Sequence, residues 1–236
     1  MPTEEMLLRP ATPDDLPALA DLYVASRAAA GAGMPPSVHG DEEVRAWVCG
    51  WDLDAREAWL AERDGTPLGF AVVVGSWLEM LHVDPGHAGS GVGSALLEVV
   101  KGLRPDGFGL WVFASNGPAR SFYAHRGLLE LELTDGSLNE ERAPDVRMAW
   151  PGRDPVAYLR GQIDEADDEL GRLLARRLAL THAVQQHKEV PGPAGRDAER
   201  ERQIAERIAR HVPELGPQRL ARIVHSIITE SLDADR

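Results

Sequence analysis

Two groups of residues are spaced so that each could do chemistry. Val83-Asp84-Pro85 runs into Gly89-Ser90-Gly91-Val92-Gly93, and apolar helical sequence follows from Ser94 to Lys101. A strand that ends in a glycine-rich turn and passes into a helix aims several backbone N–H groups at one point, and that point suits a pyrophosphate. The same residues would also serve a bare strand-to-helix turn. The second group is Arg160, Arg177, Lys188, Asp197, Arg200, Glu201 and Asp235, spread along helical sequence in the last third. Cations fixed on helices suit a small dicarboxylate, and the planar guanidinium binds a carboxylate through two parallel hydrogen bonds. From residue 153 onward, 13 of the 14 basic residues are Arg. A charged helical tail whose arginines pair with neighbouring Glu and Asp is the competing reading, and Arg172, Arg176, Arg202, Arg207 and Arg210 fit it.

The elements that must hold these residues change character near residue 151. Before it, strand-like and helical stretches alternate. Thr12-Pro13-Asp14-Asp15 reads as a helix start, with Thr12 as N-cap and Pro13 at the first helical position. Glu57 to Glu62 and Pro67 to Val74 read as strands joined by an Asp64-Gly65 hairpin turn. Leu78 to Val83 is a third strand, Gly109 to Ala114 a fourth, and Val146 to Trp150 closes the sheet; Pro118 to His125 is helical. This order predicts an α/β or α+β domain with a mixed sheet over residues 1–150. Pro151-Gly152-Arg153-Asp154-Pro155 is a linker to a second domain, 151–236. There, Leu159, Ile163, Ala166, Leu170, Leu173, Leu174, Leu178, Ala183 and Val184 form an apolar stripe at helical period, as far as Glu189. Pro191-Gly192-Pro193-Ala194-Gly195 ends that helix. A second runs from Asp197 to His211, and a third from Gly216-Pro217 to about Ser231. A helix this long cannot bury its stripe within so small a domain, so a homodimer through residues 155–190 is expected.

Composition narrows the setting. The 236 residues contain one cysteine, Cys49, so no intramolecular disulfide can form. The opening residues are acidic, with no apolar secretory region after them, and no apolar run approaches the length of a membrane span. A cytoplasmic protein is expected. Residues 1–152 hold 23 acidic and 11 basic side chains, whereas 153–236 hold 15 and 14. An acidic first half argues against nucleic acid. It suits a cationic partner, and it equally suits simple solubility.

At Val83-x-Pro85, the Gly89–Gly93 turn and Asn116-x-x-Ala119-x-x-Phe122-Tyr123-x-x-x-Gly127-Leu128, the chain resembles the GNAT N-acetyltransferase superfamily over roughly residues 5–150. The resemblance implies the acyl-CoA N-acyltransferase fold, with acetyl-CoA as cofactor and a small amine or N-terminal amine as acceptor. It assigns Leu81, Val83, Gly89, Ser90, Gly91, Val92, Gly93 and Asn116 to the cofactor. It makes Tyr123 the acid that protonates the departing thiolate. The family's general base falls at Trp77 or Glu79, which alternation puts on one face of the strand. Only Glu79 can act, and a solvated edge-strand carboxylate is the alternative for it. Ala88 stands where the family has Arg or Gln. The segment from Val24 to Trp51, with Met34-Pro35-Pro36 and Trp47, would receive the acceptor.

From about Val156 onward the chain resembles the all-helical chorismate mutases. The resemblance implies a three-helix fold in an intertwined dimer and conversion of chorismate to prephenate, on the route to phenylalanine and tyrosine. The rearrangement is pericyclic and uses no metal or cofactor. It needs the compact diaxial conformer held and the growing charge on the ether oxygen stabilised. By the resemblance, Arg177 and the partner subunit's Arg160 clamp the carboxylates, and Lys188 reaches the ether oxygen. Asp197 and Glu201 orient the hydroxyl, and Arg200 supports that end. Asp235 stands where the family has Gln or Glu, so it must be protonated to donate, which implies a rate that rises in mild acid. A frayed, uninvolved Asp235 is the other reading. The whole reads as a bifunctional enzyme. A dimerisation module in place of the mutase, or a CoA-sensing first domain beside an active mutase, are its alternatives.

Overall fold

A computed structural model of the chain describes residues 5–187 and 197–233. The chain divides into two compact units, Met1–Arg160 and Gly161–Arg236.

The first unit is built on seven strands: β1 Leu7–Pro10, β2 Glu57–Arg63, β3 Thr66–Val74, β4 Trp77–Val83, β5 Phe108–Phe113, β6 Leu129–Leu133 and β7 Asp145–Trp150. They lie in the order β1-β2-β3-β4-β5-β7-β6. All neighbours are antiparallel except β4 and β5, which are parallel. Helices α1 (Leu16–Ala30) and α2 (Asp41–Cys49) cover one face, and α3 (Val92–Leu103) and α4 (Gly117–Ala124) the other. The period-2 alternation of β3 sorts its side chains between the two cores. Phe70 and Val72 join Leu16, Leu19 and Val48 on one side; Ala71 and Val73 join Leu96, Leu97 and Val100 on the other. Each large side chain sealed in this way contributes roughly 1.5–3 kcal/mol.

Local chemistry sets the element ends. Thr12 donates to the Asp15 carboxylate from its backbone N–H at 2.7 Å and from its hydroxyl at 2.9 Å. The first turn, Pro13–Asp15, is a 3₁₀ turn, and α1 begins only at Leu16. Asp64 and Gly65 both take positive φ, 51° and 73°, as a two-residue hairpin turn requires.

Two strands were not expected from the sequence, and β7 does not close the sheet. It lies between β5 and β6. The edge strand β6 reads Leu129-Glu130-Leu131-Glu132-Leu133, and all five residues are exposed. Charges along it keep an unpaired edge from docking with another. The division between units also falls inside a helix rather than at the 151–155 linker. The Tyr158 ring lies against Gly107, where an added Cβ would come within 2.5 Å of it. The Arg153 N–H donates to the Pro105 carbonyl at 3.0 Å. The first turn of that helix is thereby held by the first unit.

The second unit comprises the rest of α5 (Pro155–Gln185), α6 (Ala198–Ala209) and α7 (Gly216–Asp233). Ala205, Leu220, Val224 and Leu232 are buried where α6 and α7 pack together. No residue of α5 is fully buried. Its stripe stands open at Ile163 and Leu173, 59% and 55% exposed, and Leu180 beside it is 59% exposed. The expected end of this helix, Glu189 with Pro191 to Gly195, lies outside the described residues. No helix among the described residues is long and apolar enough to cross a membrane.

Candidate functional site

β4 and β5 touch at one end. Trp77 pairs in register with Gly109, and the Gly109 N–H donates to the Ser76 carbonyl at 2.9 Å. Among the described residues no further register pair joins the two strands, so they part toward Val83 and Phe113. Their opposite edges stay paired, to β3 and β7. The result is a wedge through the sheet, open at the end where β4 delivers the glycine turn.

That turn carries left-handed backbone at Gly89 (φ 76°) and Gly91 (φ 95°), conformations that glycine adopts without strain. Gly91 is the N-cap of α3, and the first amide to bond within the helix is Ala95, to the Gly91 carbonyl at 3.0 Å. The Val92, Gly93 and Ser94 amides before it lead out of the helix N-terminus, where an anion is favoured. Gly93 also lets α3 approach its neighbours: a Cβ there would lie 3.4 Å from both the Val83 and Phe122 side chains. Ala88 brings no polar side chain to this turn, where the resemblance implies Arg or Gln. Arg126, which sequence reasoning missed, comes to the same helix end. Its Nε donates to Ser94 Oγ at 3.1 Å and its Nη1 to the Phe122 carbonyl at 3.0 Å. The guanidinium lies 3.9 Å from the Phe122 ring centre. Its only sequence signal is its place between Tyr123 and Gly127.

Asn116 is the N-cap of α4. Its Oδ1 accepts from the Ala119 N–H at 3.1 Å, and its Nδ2 faces the weak acceptor Sδ of Met34 at 3.6 Å. Tyr123 is buried in the core beneath α3 and α4. Burial pushes its phenol well above the ordinary range, so it keeps its proton.

Glu79 is not placed by simple alternation. Val73 pairs with Leu78 and Val72 with Met80, so Glu79 is the extra residue of a β-bulge. Its carboxylate is ion-paired with Arg56. Arg56 in turn lies 6.0 Å and 5.7 Å from the Trp47 and Trp51 ring centres.

In the second unit, Arg177 on α5 donates to Ser231 Oγ on α7 at 3.1 Å. Asp197 is not inside its helix. It is the N-cap of α6, and its carboxylate accepts from the Arg200 N–H at 3.0 Å. Arg200 is exposed, and the half-buried Glu201 lies 3.5 Å from His225 Nδ1. Arg160 is exposed on the part of α5 that belongs to the first unit. Lys188 and Asp235 lie outside the described residues.

A mixed sheet that parts at its parallel strand pair, with a glycine turn and a helix start at the gap, defines the GNAT N-acyltransferase fold. Solved structures share it. Apo-form YjaB from Escherichia coli is 22% identical, with a TM-score of 0.53, covering 63% of this chain and 99% of that one. A GCN5-related N-acetyltransferase from Rhodopseudomonas palustris is 24% identical, with a TM-score of 0.53, covering 64% and 98%. Ard1 from Thermoplasma volcanium is 16% identical, with a TM-score of 0.50, covering 63% and 99%. No curated protein matches the chain. Two family models do. Acetyltransferase (GNAT) family matches residues 18–128, and Chorismate mutase type II matches residues 159–236. The chain carries a GNAT acetyltransferase domain followed by a type II chorismate mutase domain, and both are enzyme families.

Proposed function

We propose that the protein is bifunctional. Its first domain transfers an acetyl group from acetyl-CoA to a small amine or an N-terminal amine, and its second converts chorismate to prephenate. The observation that carries the transferase half is the wedge between β4 and β5, with the Gly89–Gly93 turn at its open end. The Val92 and Gly93 amides would hold the pyrophosphate of acetyl-CoA, and Leu81, Val83 and Asn116 its pantetheine; the bound group would supply the acetyl thioester. Tyr123 protonates the departing thiolate, and Glu79, held by Arg56, relays the acceptor's proton directly or through water.

The mutase half is supported by the family match over 159–236 and by Arg177, whose guanidinium is fixed between α5 and α7. Arg177 clamps one carboxylate, and the partner subunit's Arg160 the other. Lys188 and a protonated Asp235 face the ether oxygen, with Asp197, Arg200 and Glu201 at the hydroxyl end. The open stripe of α5 supports a homodimer, because a partner helix is what would remove it from water. The pericyclic step uses no cofactor. Chorismate loss is the test, measured with the full chain beside Arg177→Ala and Lys188→Ala from mild acid to neutral pH. Conversion to prephenate that both substitutions abolish, faster in mild acid, is the expected result. The absence of conversion at every pH would leave the helices as a dimerisation module.

A further inference from the structure

The acyl-CoA side of the wedge carries the glycine turn, Asn116 and Tyr123. The other face of β4 carries a group that the proposed mechanism leaves unused. Leu81 and Val83 point into the core under α3, so His82 between them points the opposite way, toward α1. Tyr23 and Phe70 flank its ring, with centres at 4.7 Å and 5.4 Å. With Trp47 and Trp51 they complete a circuit of five rings: Tyr23–Trp47 at 6.4 Å, Trp47–Trp51 at 5.3 Å and Trp51–Phe70 at 6.3 Å.

One hydrogen bond fixes the ring. Ser26 Oγ lies 2.7 Å from His82 Nδ1. The hydroxyl has a single proton, which it donates to the Tyr23 carbonyl at 2.9 Å. With the hydroxyl proton on the Tyr23 carbonyl, Ser26 accepts from Nδ1–H, and the lone pair of the neutral ring falls on Nε2. Nε2 has no protein partner among the described residues, and the residue is only half-buried. Desolvation, helped by the nearby Arg27 guanidinium, lowers the imidazole to about 4, so it is neutral at pH 7. The charged neighbours offset one another. Arg27 is paired with Glu141 at 3.1 Å and donates to Tyr23 Oη at 3.2 Å and to the Pro35 carbonyl at 3.4 Å. Three segments thus meet at Arg27: α1, the strap that carries Pro35, and the loop that carries Glu141.

We propose that His82, its ring held by Ser26, is the catalytic proton acceptor for the amine in place of Glu79, whose carboxylate is taken by Arg56; the amine enters from the α1 face on an apolar or aromatic body. This rests on the transferase reading. Acyl-CoA fills the α3 side of the gap, so the acceptor must come from the other. The neutral amine attacks the thioester carbonyl and the C–N bond forms. Nε2 removes the proton from the cationic nitrogen of the adduct, the C–S bond breaks, and Tyr123 protonates the thiolate. The imidazolium proton returns through water to the Tyr123 phenolate, which restores both groups.

The test pairs a readout that needs no acceptor with one that does. Among histidines, diethyl pyrocarbonate acylates only the unprotonated imidazole. Applied to the native full chain at pH 7, it should modify His82, located by peptide mass spectrometry. A native protein unmodified at His82 overturns the proposal. In parallel, CoA release from acetyl-CoA is followed with phenethylamine, spermidine and a tripeptide as probe amines. With a probe that turns over, His82→Gln should lower kcat about 100-fold or more, the usual size of a lost general base. The KM for acetyl-CoA should not change, and Ser26→Ala should lower kcat less. A His82→Gln enzyme within threefold of the parent overturns the proposal. Failure of the parent with every probe counts against the transferase reading itself, and the modification at His82 then decides whether Nε2 is open.

Discussion

Trp77 lies in register with Gly109, and its ring occupies the space a side chain at 109 would need: an added Cβ would fall 2.8 Å from Trp77 Cζ3. The indole also stacks on Trp111, with ring centres 6.3 Å apart. This contact is the vertex from which β4 and β5 diverge. Gly109→Ala should cost about 1–3 kcal/mol through overpacking and weaken acetyl-CoA binding. Thermal melts with and without acetyl-CoA check this, and Trp77→Leu in the same chain should recover part of the loss.

Arg126 brings a cation to the α3 N-terminus where Ala88 supplies none. Arg126→Ala should weaken acetyl-CoA binding roughly tenfold, as expected for a lost charge-assisted contact. Calorimetric titration should show the gap narrowing at high salt.

Burial keeps the Tyr123 phenol protonated, so it is a competent acid throughout the neutral range. The sign matters. A raised phenol stays neutral to higher pH, so it adds no alkaline limb to kcat below about pH 10, where an ordinary tyrosine titrates. Tyr123→Phe should lower kcat about 100-fold with little change in acetyl-CoA affinity.

The α5 stripe and Arg177 test the second domain together. Leu173→Asp with Leu180→Asp should give a monomer by light scattering and remove chorismate turnover, while acetyl-CoA binding persists. Ser231→Ala removes the hydroxyl that holds Arg177 and should reduce mutase kcat/KM about tenfold, a loss of about 1.4 kcal/mol.

Arg9 donates to Asp15 at 2.7 Å and 2.8 Å and to Glu62 at 2.7 Å. The Arg9 guanidinium, with the Thr12 N–H and hydroxyl, holds the Asp15 carboxyl well below the usual carboxylate range. A depressed carboxylate contributes stability above its unfolded pKa, about 4, and loses it as pH falls through the folded value. Arg9→Met should therefore cost up to about 1 kcal/mol between pH 5 and 8, with the gap closing in acid. Melting temperatures measured across that range check it.

Local sequence carried the motifs. The Val83-x-Pro85 strand end, the glycine turn, the Asn116 cap and Tyr123 follow from near-neighbour rules, because glycine φ, helix capping and side-chain period act within a few residues. The α5 stripe was legible for the same reason. Both domains were readable from these patterns and from the resemblances they carried.

Tertiary structure decided which groups meet. Glu79 sits in a bulge that alternation could not foresee, since an extra residue is accommodated by the partner strand and not by its own sequence. Strand β6 was invisible as a partner because its pairing with β7 spans a loop. Asp197 reads as a helix residue by spacing, yet its short carboxylate is taken by the Arg200 amide at the helix end. Ser26 and His82 are 56 positions apart and come within 2.7 Å only because α1 lies across β4. Arg126 and Ser94 likewise meet through the packing of α4 on α3. Sequence by itself determined most of the elements, though not β1, β6 or α2, and the types of chemistry available. Long-range packing chose the partners, because a hydrogen bond or an ion pair depends on distance in space, which the chain's spacing does not encode.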